Sequence, residues 1–213
     1  MKFRAAPAMI LLPLLAACTG SLFQSKAAAP TIYQLSAAPA SAAAAGAPAP
    51  AIPVDLAVLK PNVRTGLDTD RIAVFYPDRR LDYFAAARWS GPLAEVLQDL
   101  AVQEFQSHAR LRTVSSDASV FDSAYWLEIE VSDFQAEYSP QAAAPTVRVS
   151  LLARVGTAGE RRILGRFTAN ARVAASDNRM SAIVDAYARA ADAAFAEIAA
   201  HSAELLAKVS EAR

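Results

Sequence analysis

Between Tyr125 and Val173 the chain alternates apolar and polar residues in three successive runs, and this restricts its fold more than any other feature. Side chains on a strand point to opposite faces with a period of two, so each run reads as a half-buried strand. In the first, Tyr125, Leu127, Ile129 and Val131 alternate with Trp126, Glu128, Glu130 and Ser132, after which the apolar phase slips to Phe134, Ala136 and Tyr138. A regular pleat cannot absorb such a slip without turning one set of side chains over, which predicts a β-bulge near Ser132 and Asp133. In the second, Val147, Val149, Leu151, Ala153 and Val155 oppose Arg148, Ser150, Leu152 and Arg154. A turn at Gly156-Thr157-Ala158-Gly159 leads to the third, with Ile163, Phe167, Ala169, Ala171 and Val173 on one side and Arg162, Arg166, Thr168, Asn170 and Arg172 on the other. Three such strands make an antiparallel meander covered on one face only.

Two helical patterns supply the cover. Leu93, Val96, Leu97, Leu100, Ala101 and Phe105 recur at helical spacing over Pro92 to Ala109, with Ser90 as the expected cap. Ser176-Asp177 is the expected cap of a second, alanine-rich helix with Met180, Ile183, Val184, Tyr187, Ala191, Ala194, Phe195, Ile198 and Leu205 inward. Upstream, Val54 to Lys60 and Arg71 to Tyr76 read as strands, and Pro77-Asp78-Arg79 as the turn of a hairpin returning through Arg80 to Ala85. A short strand is expected at Leu111 to Val114. The expected fold is α+β: a two-layer sandwich of one antiparallel sheet with two helices on one face.

The N-terminus sets the compartment. Met1 to Arg4 is a short basic segment and Ala5 to Leu15 an apolar run too short to span a bilayer, as in a cleaved signal peptide over residues 1–17. Leu15-Ala16-Ala17-Cys18 resembles the bacterial lipobox, which implies cleavage between Ala17 and Cys18 and acylation of Cys18. Cys18 is the only cysteine, so no intramolecular disulfide forms. Several acyl chains on one residue hold a protein at a membrane where a single chain does so only marginally. Thr19, which is not aspartate, points to the periplasmic face of the outer membrane, with the inner membrane as the alternative. Residues 18–53 read as an Ala/Pro-rich tether interrupted by a β-rich island at 31–36, residues 54–208 as the domain and 209–213 as a tail.

The 21 basic and 21 acidic residues cancel, giving no electrostatic footprint for nucleic acid. His108 and His201 sit on separate helices away from any metal-ligand spacing, and the glycines form no phosphate-cradling pattern. Asp68, Asp70, Glu128 and Glu130 are paired carboxylates better suited to salt bridges than to acid–base work. No catalytic residue, cofactor site or metal site is assigned. The polar side of the meander is the candidate partner face: Trp126, Glu128, Glu130, Arg148, Leu152, Arg154, Leu164 and Arg166. It reads equally as a solvated face laced with ion pairs.

Leu67-Asp68-Thr69-Asp70-Arg71-Ile72-Ala73-Val74, Ala87-Arg88-Trp89-Ser90-Gly91-Pro92-Leu93 and the strand ending Asp133-Phe134-Gln135-Ala136-Glu137-Tyr138 resemble the ABC-type transport auxiliary lipoprotein family. Phe167-Thr168-Ala169 and the Ala-rich Asp185 to Ala200 fit as well. The resemblance implies an envelope component working with an MCE-domain protein, a permease and an ATPase to move phospholipid or another hydrophobic compound between membranes. The residues themselves reach only a tethered, non-catalytic interaction domain, with homo-oligomerisation left open. A lipoprotein that activates a peptidoglycan synthase and an envelope hydrolase are the competing readings.

Overall fold

The computed structural model describes residues 29–37, 51–116, 123–160 and 162–212. In chain order these form β1 (Thr31–Tyr33), β2 (Ile52–Val58), β3 (Asn62–Val63), β4 (Arg71–Phe75), β5 (Leu81–Trp89), α1 (Leu93–His108), β6 (Leu111–Ser116), β7 (Tyr125–Glu137), β8 (Thr146–Thr157), β9 (Ile163–Ala174) and α2 (Met180–Glu211). The strands make one sheet and the class is α+β.

β7 is the strand on which the sheet turns. Along one edge it pairs antiparallel with β8 over its whole length, and β8 pairs antiparallel with β9, as the alternation requires. Along the other edge it takes β2, β3 and β4 in succession, all parallel. β6 then adds to β2 in parallel, β5 to β4 as an antiparallel hairpin, and β1 to β5 in parallel. The sheet is therefore mixed, where a wholly antiparallel one was expected. β2, β3 and β4 follow one another along a single edge of β7 and so share its direction, while β5 turns back from β4 into α1 and β6 emerges from α1 to run parallel to β2.

The bulge falls where the phase slip placed it. Val131 opposes Leu151 and Asp133 opposes Ser150, leaving Ser132 as the extra, exposed residue. One continuous buried row results, Leu127, Ile129, Val131, Phe134 and Ala136, facing Val155, Ala153, Leu151, Val149 and Val147 across the ladder. Were Ser132 paired in a regular pleat instead of bulged, Phe134 and Ala136 would point to solvent.

Both helices pack on this core and on each other, α1 mainly against β6 and β2 and α2 against β9, β8 and β2. Ala186, Ala190, Ala191, Ala194 and Ala199 are buried in α2, so its backbone approaches the strands closely. At β9 the approach is closer still. A Cβ on Gly165 would lie 2.7 Å from Leu205 Cδ2, so a side chain there would require Leu205 to shift. At the centre Trp89, Phe134 and Tyr187 form an aromatic cluster with centroids 5.2–6.1 Å apart. The Tyr187 hydroxyl donates to the Ala73 carbonyl at 2.7 Å, tying α2 to β4.

The helix starts differ from expectation. Asp68, not Ser90, caps α1: its Oδ1 accepts the Ala94 N–H at 3.2 Å while the Thr69 carbonyl accepts that of Leu93. α2 starts at Met180 after an extended Arg179, with no side-chain cap. Asp177 instead accepts the Asn178 N–H and pairs with Arg179 at 3.5 Å. At its other end α2 runs to Glu211, so the helix takes in the first part of the expected tail, and Val209 there packs against the core. The hairpin turn forms as expected, with Asp78 Oδ1 accepting the Arg80 N–H at 3.2 Å. In the N-terminal island only Thr31–Tyr33 form a strand; Leu35 is buried beyond it, and the Ala37 N–H donates to Gln103 Oε1 at 3.2 Å. Among the described residues no helix is long and apolar enough to cross a membrane.

Candidate functional site: the open face of the sheet

On the face of β7, β8 and β9 away from the helices, the alternation that buries one row presents the other. β7 contributes Trp126, Glu128 and Glu130 and, beyond the bulge, Asp133 and Glu137 with a buried Gln135 between them. β8 contributes Arg148, Ser150, Leu152 and Arg154 opposite them. Arg154 reaches Glu128 at 3.0 Å and Glu130 at 3.1 Å. Arg148 reaches Asp133 at 3.1 Å and Glu137 at 3.7 Å, and Arg64 approaches Asp133 at 3.8 Å. Gln135 donates to both Asp133 and Glu137, bridging the two carboxylates. Partial burial pushes the Asp133 carboxyl up, but hydrogen bonds from Gln135 and Ser150 and the charges of Arg148 and Arg64 outweigh it and hold the group below the usual carboxylate range.

Trp126 closes one end of this face. Its ring lies over Gly156, the residue paired with it across the ladder, and its Nε1 donates to the Thr157 carbonyl at 3.1 Å. A Cβ on Gly156 would clash with the indole and come within 2.8 Å of the Arg162 carbonyl oxygen. Gly156 is thus a seat inside β8 and not part of the turn, which falls at 158–160. Beside the indole a groove of about 450 Å³ is lined by Ala57, Leu59, Ser123, Trp126, Glu128 and Ala158.

The structure brings Trp126, Glu128, Glu130, Arg148, Leu152, Arg154 and Arg166 to this face, but not Leu164. A second bulge separates Ile163, opposite Gly156, from Gly165, opposite Val155. Leu164 is its extra residue and packs against the core, while Ile163 swings out of the apolar row and is exposed. Asp133, Gln135, Glu137 and Arg172 also belong to the face. The signal for the first three was the slip itself, because the same one-residue shift that turns Phe134 inward turns its neighbours outward.

Ala17 and Cys18 lie outside the described residues, as does most of the tether. The His201 ring lies 5.5 Å from that of Phe167, a packing role on α2. Asp70 forms a 2.7 Å ion pair with Arg88, and Asp68 is occupied as a helix cap. Among the described residues no three His, Cys, Asp or Glu side chains converge as a metal site.

Fold and face define a class: a mixed-sheet α+β module with two helices on its buried side and a ladder of carboxylate–arginine pairs on its open side. The chain belongs to the family described as the ABC-type transport auxiliary lipoprotein component, whose model matches residues 33–199. It is thus an envelope-associated auxiliary lipoprotein of an ABC-type transport system. A search of curated proteins finds no match. Among solved structures the fold is similar to that of a Xanthomonas campestris protein of the DUF330 family, at TM-score 0.72 and 23% identity, covering 85% of this chain and 99% of that one. It is also similar to a hypothetical protein from Chlamydia trachomatis, at TM-score 0.53 and 10% identity, covering 73% and 99%.

Proposed function

We propose that the chain is a non-catalytic assembly component of an MCE-type intermembrane lipid transport system, anchored through acylated Cys18 to the periplasmic face of the outer membrane. Its partners in this reading are the MCE-domain protein and, through it, the permease and ATPase of the same system. The observation that carries the reading is the family match over residues 33–199, joined to the Leu15-Ala16-Ala17-Cys18 motif upstream of it. The open face supports it further. Its carboxylates are engaged by Arg148 and Arg154, an arrangement suited to holding a surface in shape and poorly suited to proton transfer. Trp126 and its groove supply an apolar anchor point of the kind found at interface centres.

Crosslinking followed by purification of the full-length chain tests the reading. Recovery of an MCE-domain protein is expected, and specific recovery of a peptidoglycan synthase in its place would overturn it. Metabolic labelling with a fatty-acid probe is expected to mark the wild type and not Cys18→Ser. Equal labelling of both would remove the anchor.

A further inference from the structure

The charge pattern across the meander is incomplete at β9. Reading across the open face, β7 contributes acids, β8 bases, and β9 bases again. Arg154 stands directly opposite Arg166 and Arg148 directly opposite Arg172, two like-charge cross-strand pairs, each unfavourable in itself. The β7 carboxylates offset the β8 arginines, and Glu137 also comes within 3.8 Å of Arg172. Arg166 is exposed, with no ion pair among the described residues. From Arg162 to Ala174 the sequence holds three arginines and no carboxylate.

β9 is also an open edge. Among the described residues it pairs with β8 alone, so one N–H and C=O row along twelve residues has no ladder partner. Its inward row is unfinished too, since Phe167, Ala171 and Val173 are only partly buried although they pack against the core. An added strand would finish both rows.

The geometry points to β9 as an acceptor for an extended, acidic strand from a partner protein, added by β-augmentation. The incoming segment would place carboxylates against Arg166 and Arg172 and apolar residues beside Phe167, Ala171 and Val173, completing an acid–base–base–acid order across the sheet. A second copy pairing β9 to β9 would set arginine rows against each other, so charge complementarity favours a different chain. The inference deepens the proposed function by naming where an assembly partner attaches.

The test uses the full chain purified in detergent and two probe peptides of about nine residues, one alternating valine with glutamate and one alternating valine with lysine. The wild type is expected to bind the glutamate peptide at least ~10-fold tighter, with affinity falling as salt rises. Binding should slow amide exchange at alternate residues of β9. The pair Arg166→Glu and Arg172→Glu should reverse the preference, and the pair Arg166→Lys and Arg172→Lys should keep it. Thermal melts guard the comparison. Arg166→Glu alone should melt no lower than wild type, because it removes the repulsion from Arg154. No binding, equal binding of both peptides, or protection confined to β6 would overturn the inference. So would self-association that the double reversal abolishes, which would make a second copy the occupant. These readings are made on the purified chain, so they can fail while the MCE-protein crosslink succeeds, and the reverse.

Discussion

Asp133 is held between Arg148 and Arg64 with its carboxyl below the ordinary value, so its charge is linked to folding. A carboxyl depressed in the folded state contributes stability that is fully present above the unfolded value, about pH 4, and is lost as pH falls through the folded one. Acid titration of the melt should therefore show a steeper loss below about pH 4 for the wild type than for Asp133→Asn. Gly156 makes a separate demand, since any side chain there meets the Trp126 ring and the Arg162 carbonyl. Gly156→Ala should cost about 1–3 kcal/mol in denaturant unfolding, the range for forcing extra atoms into a packed site. Tyr187→Phe should cost about 1–2 kcal/mol, because it leaves the Ala73 carbonyl without its buried donor.

Among the elements, β7 was the most legible in sequence, and the reason is local. Its alternation and its slip both lie within one strand, so the bulge at Ser132 follows from side-chain period alone. The second bulge, at Leu164, was not legible. Ile163, Leu164 and Phe167 are all apolar, and only the tertiary pairing of Gly156 with Ile163 selects which of them turns outward. The α1 cap was missed for a similar reason: Ser90 is adjacent in sequence, but the fold brings Asp68 from 26 residues away to the Ala94 N–H. Asp68→Ala should accordingly destabilise the domain by about 1 kcal/mol, and Ser90→Ala by no more than a few tenths. Chemical denaturation of the two variants checks the assignment; equal losses would return the cap to Ser90. Deletion of Ser132 should by contrast be mild, since Val131, Asp133 and Phe134 then alternate regularly in the register they already hold, whereas Phe134→Ala should cost about 3–5 kcal/mol by emptying the Trp89–Tyr187 cluster.

For the molecule as a whole, the α+β class followed from the succession of patterns, but strand direction did not. β2, β3 and β4 are short and carry no signal for which edge or orientation they take; their common direction comes from lying one after another along a single edge of β7, a tertiary pairing that no local pattern records. The result is one sheet whose helix side is an apolar core and whose other side is a surface of ion pairs, an indole seated on glycine and a groove beside it. Family membership over residues 33–199 gives that surface a setting among transport auxiliary lipoproteins. In the proposed function this face is the one that meets the transport machinery. The direct measurement is site-specific photocrosslinking in living cells, with the reactive group placed at Leu152 on the open face and, in a parallel strain, at Glu197 on the exposed side of α2. An MCE-domain protein should be captured from Leu152 and not from Glu197. Capture from Glu197 alone, or capture of a peptidoglycan synthase from Leu152, would contradict the proposed function.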